Sequence, residues 1–273
     1  MLIGSDYSGT HSKSRYITYS FLVADADRSP DYPLKRRILR EEYLPNNRRM
    51  SFKNLNDRYR REALQPFLQT AELLMGLGVV IVVHKDLRRM TTGSNTLKVW
   101  KNLHGLQGKW TAYAFEDMVR IVHFLCLLIS DFSKPLQHIT WMTDQDEIVA
   151  NDGRLTDVLN LVARMTGLYI KHPLGELAVN STEIDTSDRR FEDFVAIPDL
   201  IAGAFSEVVN VWSTQDEWNK DKELSLDPKY LSEKSNVIST WFCQENQNLK
   251  RSIILIDRYD SNSFKVRQMG VFK

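Results

Sequence analysis

Two short apolar stretches, set apart by a polar turn, fill the first 23 positions of the chain. Met1 to Ser5 and Tyr16 to Val23 read as strands. In the second, Ile17, Tyr19, Phe21 and Val23 alternate with Thr18, Ser20 and Leu22, the period of two expected of a strand with one face more buried. The segment between them, Tyr7-Ser-Gly-Thr-His-Ser-Lys13, is small and polar, and a connection that short predicts antiparallel pairing. Asp25 to Pro33 reads as a loop.

Helical spacing follows. Leu34 to Tyr43 and Asn54 to Gly76 predict helices, the second with a stripe of Leu64, Phe67, Leu68, Ala71 and Leu74, and with Gly76 and Gly78 as its stop. Val79 to Val83 is a continuous β-branched run, which predicts a strand covered on both faces at the centre of a sheet. Glu116 to Ser130 is a strongly apolar helix, broken by Ser133-Lys-Pro135. Gln137 to Met142 is the next strand, ending at Thr143-Asp144. Leu155 to Met165 is a helix closed by Gly167, and Leu177 to Asn180 is a strand. Ala196 to Phe205 opens a further helix with Pro198 in its first turn.

Past residue 212 the character changes. Ser213 to Pro228 is charged and poor in apolar residues; a helix at Lys229 to Gln244 and strands at Ile253 to Asp257 and Phe264 to Gln268 follow. The succession of elements predicts an α/β fold, a mixed sheet flanked by helices over residues 1–212. A small α+β C-terminal appendage, 213–273, is expected to pack on it, because some 60 residues make a small core.

Composition changes this picture little. With 273 residues, 42% hydrophobic and 26% charged, the chain reads as globular. Asp6 stands where an export signal needs an apolar core. The longest apolar runs, Leu73 to Val83 and Ile121 to Ile129, are shorter than the roughly 20 residues of a membrane span. A cytoplasmic protein without a membrane segment is the expectation. Its two cysteines, Cys126 and Cys243, lack metal-ligand spacing and are expected to be reduced thiols.

Charge changes it more. The net charge is +1, yet Leu34 to Arg61 holds ten Lys/Arg against three acids. Such a block is either a solvated helical face or the footprint of a polyanion. In the second case Lys53, Arg58 and Arg61, with Arg36, Arg37, Arg40, Arg48, Arg49 and Arg60, would neutralise nucleic-acid phosphates.

The candidate chemistry lies in three carboxylates. Asp6 follows the first strand, Asp144 follows the strand at 137–142, and Asp199 stands in the opening of the helix after 196. Open α/β sheets gather their sites at strand ends and adjacent helix starts. Converging carboxylates repel one another without a cation, so this set points to Mg²⁺ or Mn²⁺, which take oxygen ligands. Each aspartate also has an ordinary reading: a turn former at Asp6, a cap at Asp144, a first-turn helix carboxylate at Asp199.

Ser5-Asp6-Tyr7-Ser8-Gly9 and Ile197-Pro-Asp-Leu-Ile-Ala-Gly203 resemble the opening and closing motifs of an uncharacterised RNase H-like family. Its first strand ends in Asp-x-Ser-Gly, and its closing helix is of the Ala-Asp-Leu-Ile-Ala-Gly type. The strand His138 to Asp144 is similar to the fourth strand of that fold, whose end bears a metal-binding aspartate. The resemblance covers residues 1 to 210 in order of elements, and its motifs amount to about fifteen residues. It implies a metal-dependent nuclease cutting RNA or DNA by a two-metal mechanism. Asp6, Asp144 and Asp199 would be the metal ligands and catalytic groups, Asp146 a further ligand, and Ser8 would touch substrate. The chain departs from the family at Tyr7, where a glutamate is common. The glutamate that the first helical region commonly supplies has Glu41, Glu42, Glu62 and Asp146 as candidates. Two other functions compete: an inactive module binding nucleic acid or a protein partner, a second copy included, and an actin-like ATP-dependent kinase. For the kinase, Gly9-Thr10 would serve as a phosphate loop, but the spacing is one residue too long and the chain is short for a duplicated domain.

Overall fold

The computed structural model describes residues 1–272 except 12, 88–94, 145–147, 183–184, 186–187, 214–227, 247 and 259–262. In chain order the elements begin with β1 (Leu2–Ser8), β2 (Tyr16–Ala24), α1 (Tyr32–Tyr43), α2 (Arg58–Ala71) and β3 (Gly76–His84). Next come α3 (Thr96–His104), α4 (Ala112–Phe132), β4 (Ile139–Thr143), α5 (Asp152–Tyr169) and β5 (Leu177–Ser181). The chain closes with α6 (Arg190–Ser213), α7 (Glu233–Phe242), β6 (Leu249–Arg258) and β7 (Phe264–Phe272). Contacts divide it into a smaller unit, Met1 with Leu87–Ile184, and a larger one, Leu2–Asp86 with Asp185–Lys273.

The larger unit is built on a mixed sheet. β1 pairs antiparallel with β2, placing Asp6 opposite Ser20, and β2 pairs antiparallel with β3. β3 then pairs parallel with β6, and β6 antiparallel with β7. The expected hairpin of the first two strands is therefore present. Every residue of β2 is buried, because this strand has a neighbour on each edge and packing on both faces. The C-terminal strands extend the sheet beside β3. The fold is α/β, with a mixed sheet flanked by helices.

Two glycines expected to stop the second helix instead belong to β3. The helix ends at Ala71, and a Cβ on Gly76 would stand 1.9 Å from the Val23 carbonyl oxygen. Gly76 is thus required by close strand approach, a constraint invisible to helical periodicity.

The closing helix also starts earlier than expected. α6 begins at Arg190, because the Asp185 carboxylate accepts hydrogen bonds from the Phe191 and Glu192 amides at 2.6 and 3.0 Å. Pro198 therefore lies inside the helix. The space where a Cβ on Gly4 would stand is 3.5 Å from its ring, so the proline packs directly on bare β1 backbone. By length and composition α6 could cross a membrane, but 78% of its most apolar stretch is buried within the fold. Its apolar surface covers β1 and β2.

In the smaller unit β4 and β5 pair in parallel, with Trp141 opposite Val179, and α4 packs on α5. Buried Asp157 of α5 accepts from the Gln107 and Gly108 amides and the Trp110 indole at 2.7–2.9 Å, fixing the segment before α4. Cys126 and Cys243 are free thiols, held up by burial to about 12 and about 11, respectively. Neither is poised as a nucleophile at neutral pH.

Candidate active site

Asp6 sits two residues from the C-terminal end of β1. Gly4 of the same strand faces α6, since a Cβ there would lie 3.0 Å from the Phe194 ring. Strand alternation turns Asp6 to that same face. Farther along, a Cβ on Gly9 would lie 3.1 Å from Ser206 Oγ. The chain from Gly4 to Gly9 therefore passes α6 from the turn of Pro198 to the turn of Ser206, about 12 Å of helix. Asp6 lies between Gly4 and Gly9 on this path, while the Asp199 carboxylate is turned to the Phe52 amide.

The half-buried Asp6 carboxylate accepts from the Tyr7 amide at 2.8 Å, which fixes its rotamer. Across the hairpin, Ser20 faces Asp6 and Thr18 faces Ser8, which ends β1. Both hydroxyls are fully buried, and neither has a hydrogen-bond partner among the described residues. Gly9 has φ +87°, and a Cβ there would stand 2.5 Å from the Tyr16 carbonyl oxygen. The hairpin alone accounts for this glycine.

Asp199 is a mid-helix residue, because α6 starts nine positions earlier. One carboxylate oxygen accepts from the Phe52 amide at 2.8 Å, tying α6 to the short 3-10 turn Phe52–Asn54. One helical turn on, Gly203 leaves room for the Phe52 ring, which a Cβ would approach to 2.2 Å. One turn farther, Glu207 accepts from the Ser232 amide and from the Ser232 and Ser235 hydroxyls at 2.6–2.8 Å. Positions 199, 203 and 207 thus form one stripe that holds the 3-10 turn and the start of α7.

Asp144 follows β4 in the smaller unit, and its carboxylate accepts from Thr182 Oγ1 at 2.8 Å. Asp146 lies outside the described residues. Among the described residues no three His, Cys, Asp or Glu side chains gather as a metal would require.

Much of the basic block is engaged within the fold. Buried Arg36 and Arg40 both bind the Asp193 carboxylate, at 2.8 and 2.5 Å, and Arg36 also reaches Asp188 at 2.6 Å. Arg48 pairs with Asp57 and lies 4.6 Å over the Tyr59 ring. Arg60 donates to the Arg49 carbonyl at 2.6 Å, and Arg58 pairs with Glu62 at 2.8 Å. Lys53 stands exposed on the 3-10 turn. The exposed Arg61 guanidinium makes one long contact, 3.5 Å to the Asn56 carbonyl.

Sequence reading missed the Arg36–Asp193–Arg40 cluster. Its signal was the i,i+4 spacing of two arginines flanking the apolar Leu39, opposite an acid early in α6. It also missed the buried hydroxyls of β2, which alternation alone presents as a polar face.

No family model matches the sequence, and no curated protein matches it. Among solved structures, the chain is similar to the ribonuclease H2 from Pyrococcus horikoshii OT3, with a TM-score of 0.35 and 10% identity over 89% of this chain and 99% of that one.

Proposed function

We propose that the chain is a metal-dependent nuclease that hydrolyses phosphodiester bonds of RNA or DNA, with Asp6, Asp144 and Asp199 as its carboxylates. The observation that supports this reading is Asp6 near the end of β1, on the strand face that packs against α6, the helix that bears Asp199. An oxygen-only donor set suits Mg²⁺ or Mn²⁺, which would supply charge stabilisation and an activated water. The described residues do not gather such a set. The chain's own contribution is orientation: the Tyr7 amide holds Asp6, and the Phe52 amide holds Asp199. Exposed Lys53 and Arg61 would meet substrate phosphates, with Arg58 and Ser8 as further contacts.

The test is incubation of the full chain with labelled RNA, DNA and hybrid duplexes in Mn²⁺. Asp6→Asn should abolish cleavage while leaving the melting temperature near that of the parent, and Asp199→Asn should reduce cleavage less.

A second reading, a nucleic-acid-binding module without catalysis, is favoured by the engagement of Asp199 with the Phe52 amide. It predicts salt-sensitive binding with no cleavage, unchanged by Asp6→Asn.

A further inference from the structure

A cleft of about 260 Å³ opens in the larger unit beside the start of α2 and the start of α7. Leu55 and Leu64, both buried, and Val237 line it with apolar surface. Asn56 and Gln65 bring two exposed amides whose side chains have no hydrogen-bond partner among the described residues.

Two cations also line the cleft. The Lys234 ammonium donates to the Phe52 carbonyl at 3.0 Å and lies 4.1 Å over the Phe52 ring, so its charge is held in place rather than left to roam. Among the described residues Arg61 keeps nearly all its donors unspent, and its planar fork matches a phosphate. Glu233 is the acid of the lining.

An apolar wall, two amides able to read hydrogen-bonding edges and an unspent guanidinium describe a receptor for a flat ring carrying a phosphate. The volume falls just below the roughly 300–1,000 Å³ of drug-sized sites, which suits one small unit and excludes a duplex. We propose that this cleft binds a single nucleoside monophosphate unit, either free or at the end of a strand. None of Asp6, Asp144 or Asp199 lines it, and Arg61 is the one residue that it shares with the nuclease reading.

The experiment is calorimetric titration of the full chain with AMP, GMP, CMP and UMP, in chelator so that no divalent ion contributes. The matching nucleosides and inorganic phosphate are the comparators. At least one monophosphate should bind 1:1, with its nucleoside and inorganic phosphate each weaker by about tenfold or more, the scale of one charge-assisted contact. Arg61→Gln should weaken the monophosphate about tenfold as well. Val237→Trp should fill the cleft and remove binding, with circular dichroism reporting that the fold is kept. Asp6→Asn should leave the affinity unchanged, which separates this site from the carboxylates. A short oligonucleotide with a terminal phosphate, compared with its circular form, distinguishes the strand end from the free nucleotide as the source. The proposal is overturned by the absence of saturable binding, by inorganic phosphate binding as well as the monophosphates, or by affinity indifferent to Arg61→Gln. Arg61 is exposed, so its variant tests the site even where Val237→Trp fails to fold.

Discussion

Arg36 and Asp193 meet at 2.8 Å, with 2% and 1% of their side chains exposed, although 157 residues separate them in the chain. Arg40 takes the other carboxylate oxygen of Asp193, and this cluster fastens α1 to the first turn of α6. Removing one partner of such a cluster leaves a buried charge uncompensated. Asp193→Ala should therefore destabilise the larger unit by about 3–5 kcal/mol, measured by urea denaturation at neutral pH. A loss under about 1 kcal/mol would place the cluster with ordinary surface pairs.

The same carboxylate gives stability a pH dependence. Burial is the largest influence on Asp193 and raises it from 3.8 to about 6, against the pull of Arg40 and Arg36. Asp188, on the other side of Arg36, and the Tyr32 phenol complete its surroundings. A carboxyl raised in the folded state holds its proton longer there than in the unfolded chain. Its contribution to stability is present in full below about pH 3.8 and is lost as pH rises through about 6. The difference in unfolding free energy between the parent and Asp193→Asn should slope between pH 4 and 6 and flatten above that window. A flat difference across the window would contradict the raised carboxyl.

Phe52 is the hinge between the candidate carboxylate and the cleft. Its amide donates to Asp199, its carbonyl accepts from Lys234, and its ring fills the space left by Gly203. Gly203→Val should push the ring out and destabilise the fold by about 1–3 kcal/mol, the scale of overpacking. Asp199→Ala should cost about 1–3 kcal/mol through the unpaired amide. Hydrogen exchange is the shared measurement: both variants should lose protection at the Phe52 amide, while amides of β2 keep theirs.

Glu207 anchors α7 through three hydrogen bonds from Ser232 and Ser235. Glu207→Ala should destabilise by about 2–4 kcal/mol, since bonds to a charged acceptor are the stronger kind and several are lost together. Glu207→Gln, which keeps an acceptor oxygen, should cost less than half as much. Equal losses in melting experiments would show that the carboxylate charge, rather than its geometry, carries the contact.

Much of the fold was legible because periodicity reports burial directly. The hairpin of Tyr7 to Lys13, the β-branched run of Val79 to Val83 and the apolar Glu116 to Ser130 all form the elements that their patterns predict. Element ends were less legible. The start of α6 is set by Asp185, a carboxylate whose role depends on where the chain folds back, and Gly76 answers to Val23, more than fifty positions earlier. The candidate site was legible only as residue types at strand ends. Sequence could mark Asp6 and Asp199 as acids, but only packing shows that the chain at Gly4 and Gly9 lies against α6. The basic block shows the limit most plainly: Arg36, Arg40, Arg48 and Arg60 look alike in sequence to Arg61, and the folded chain turns them to internal duties.

The parallel pairing of β3 with β6 has a consequence for biogenesis. During synthesis β3 leaves the ribosome with one long apolar edge unfilled, and its partner is made more than 160 residues later. The nascent chain must therefore build the intervening Leu87–Ile184 unit while an aggregation-prone edge waits. Translation halted before Leu249 would release a fragment with that edge exposed, so quality control of this protein falls on its last strands.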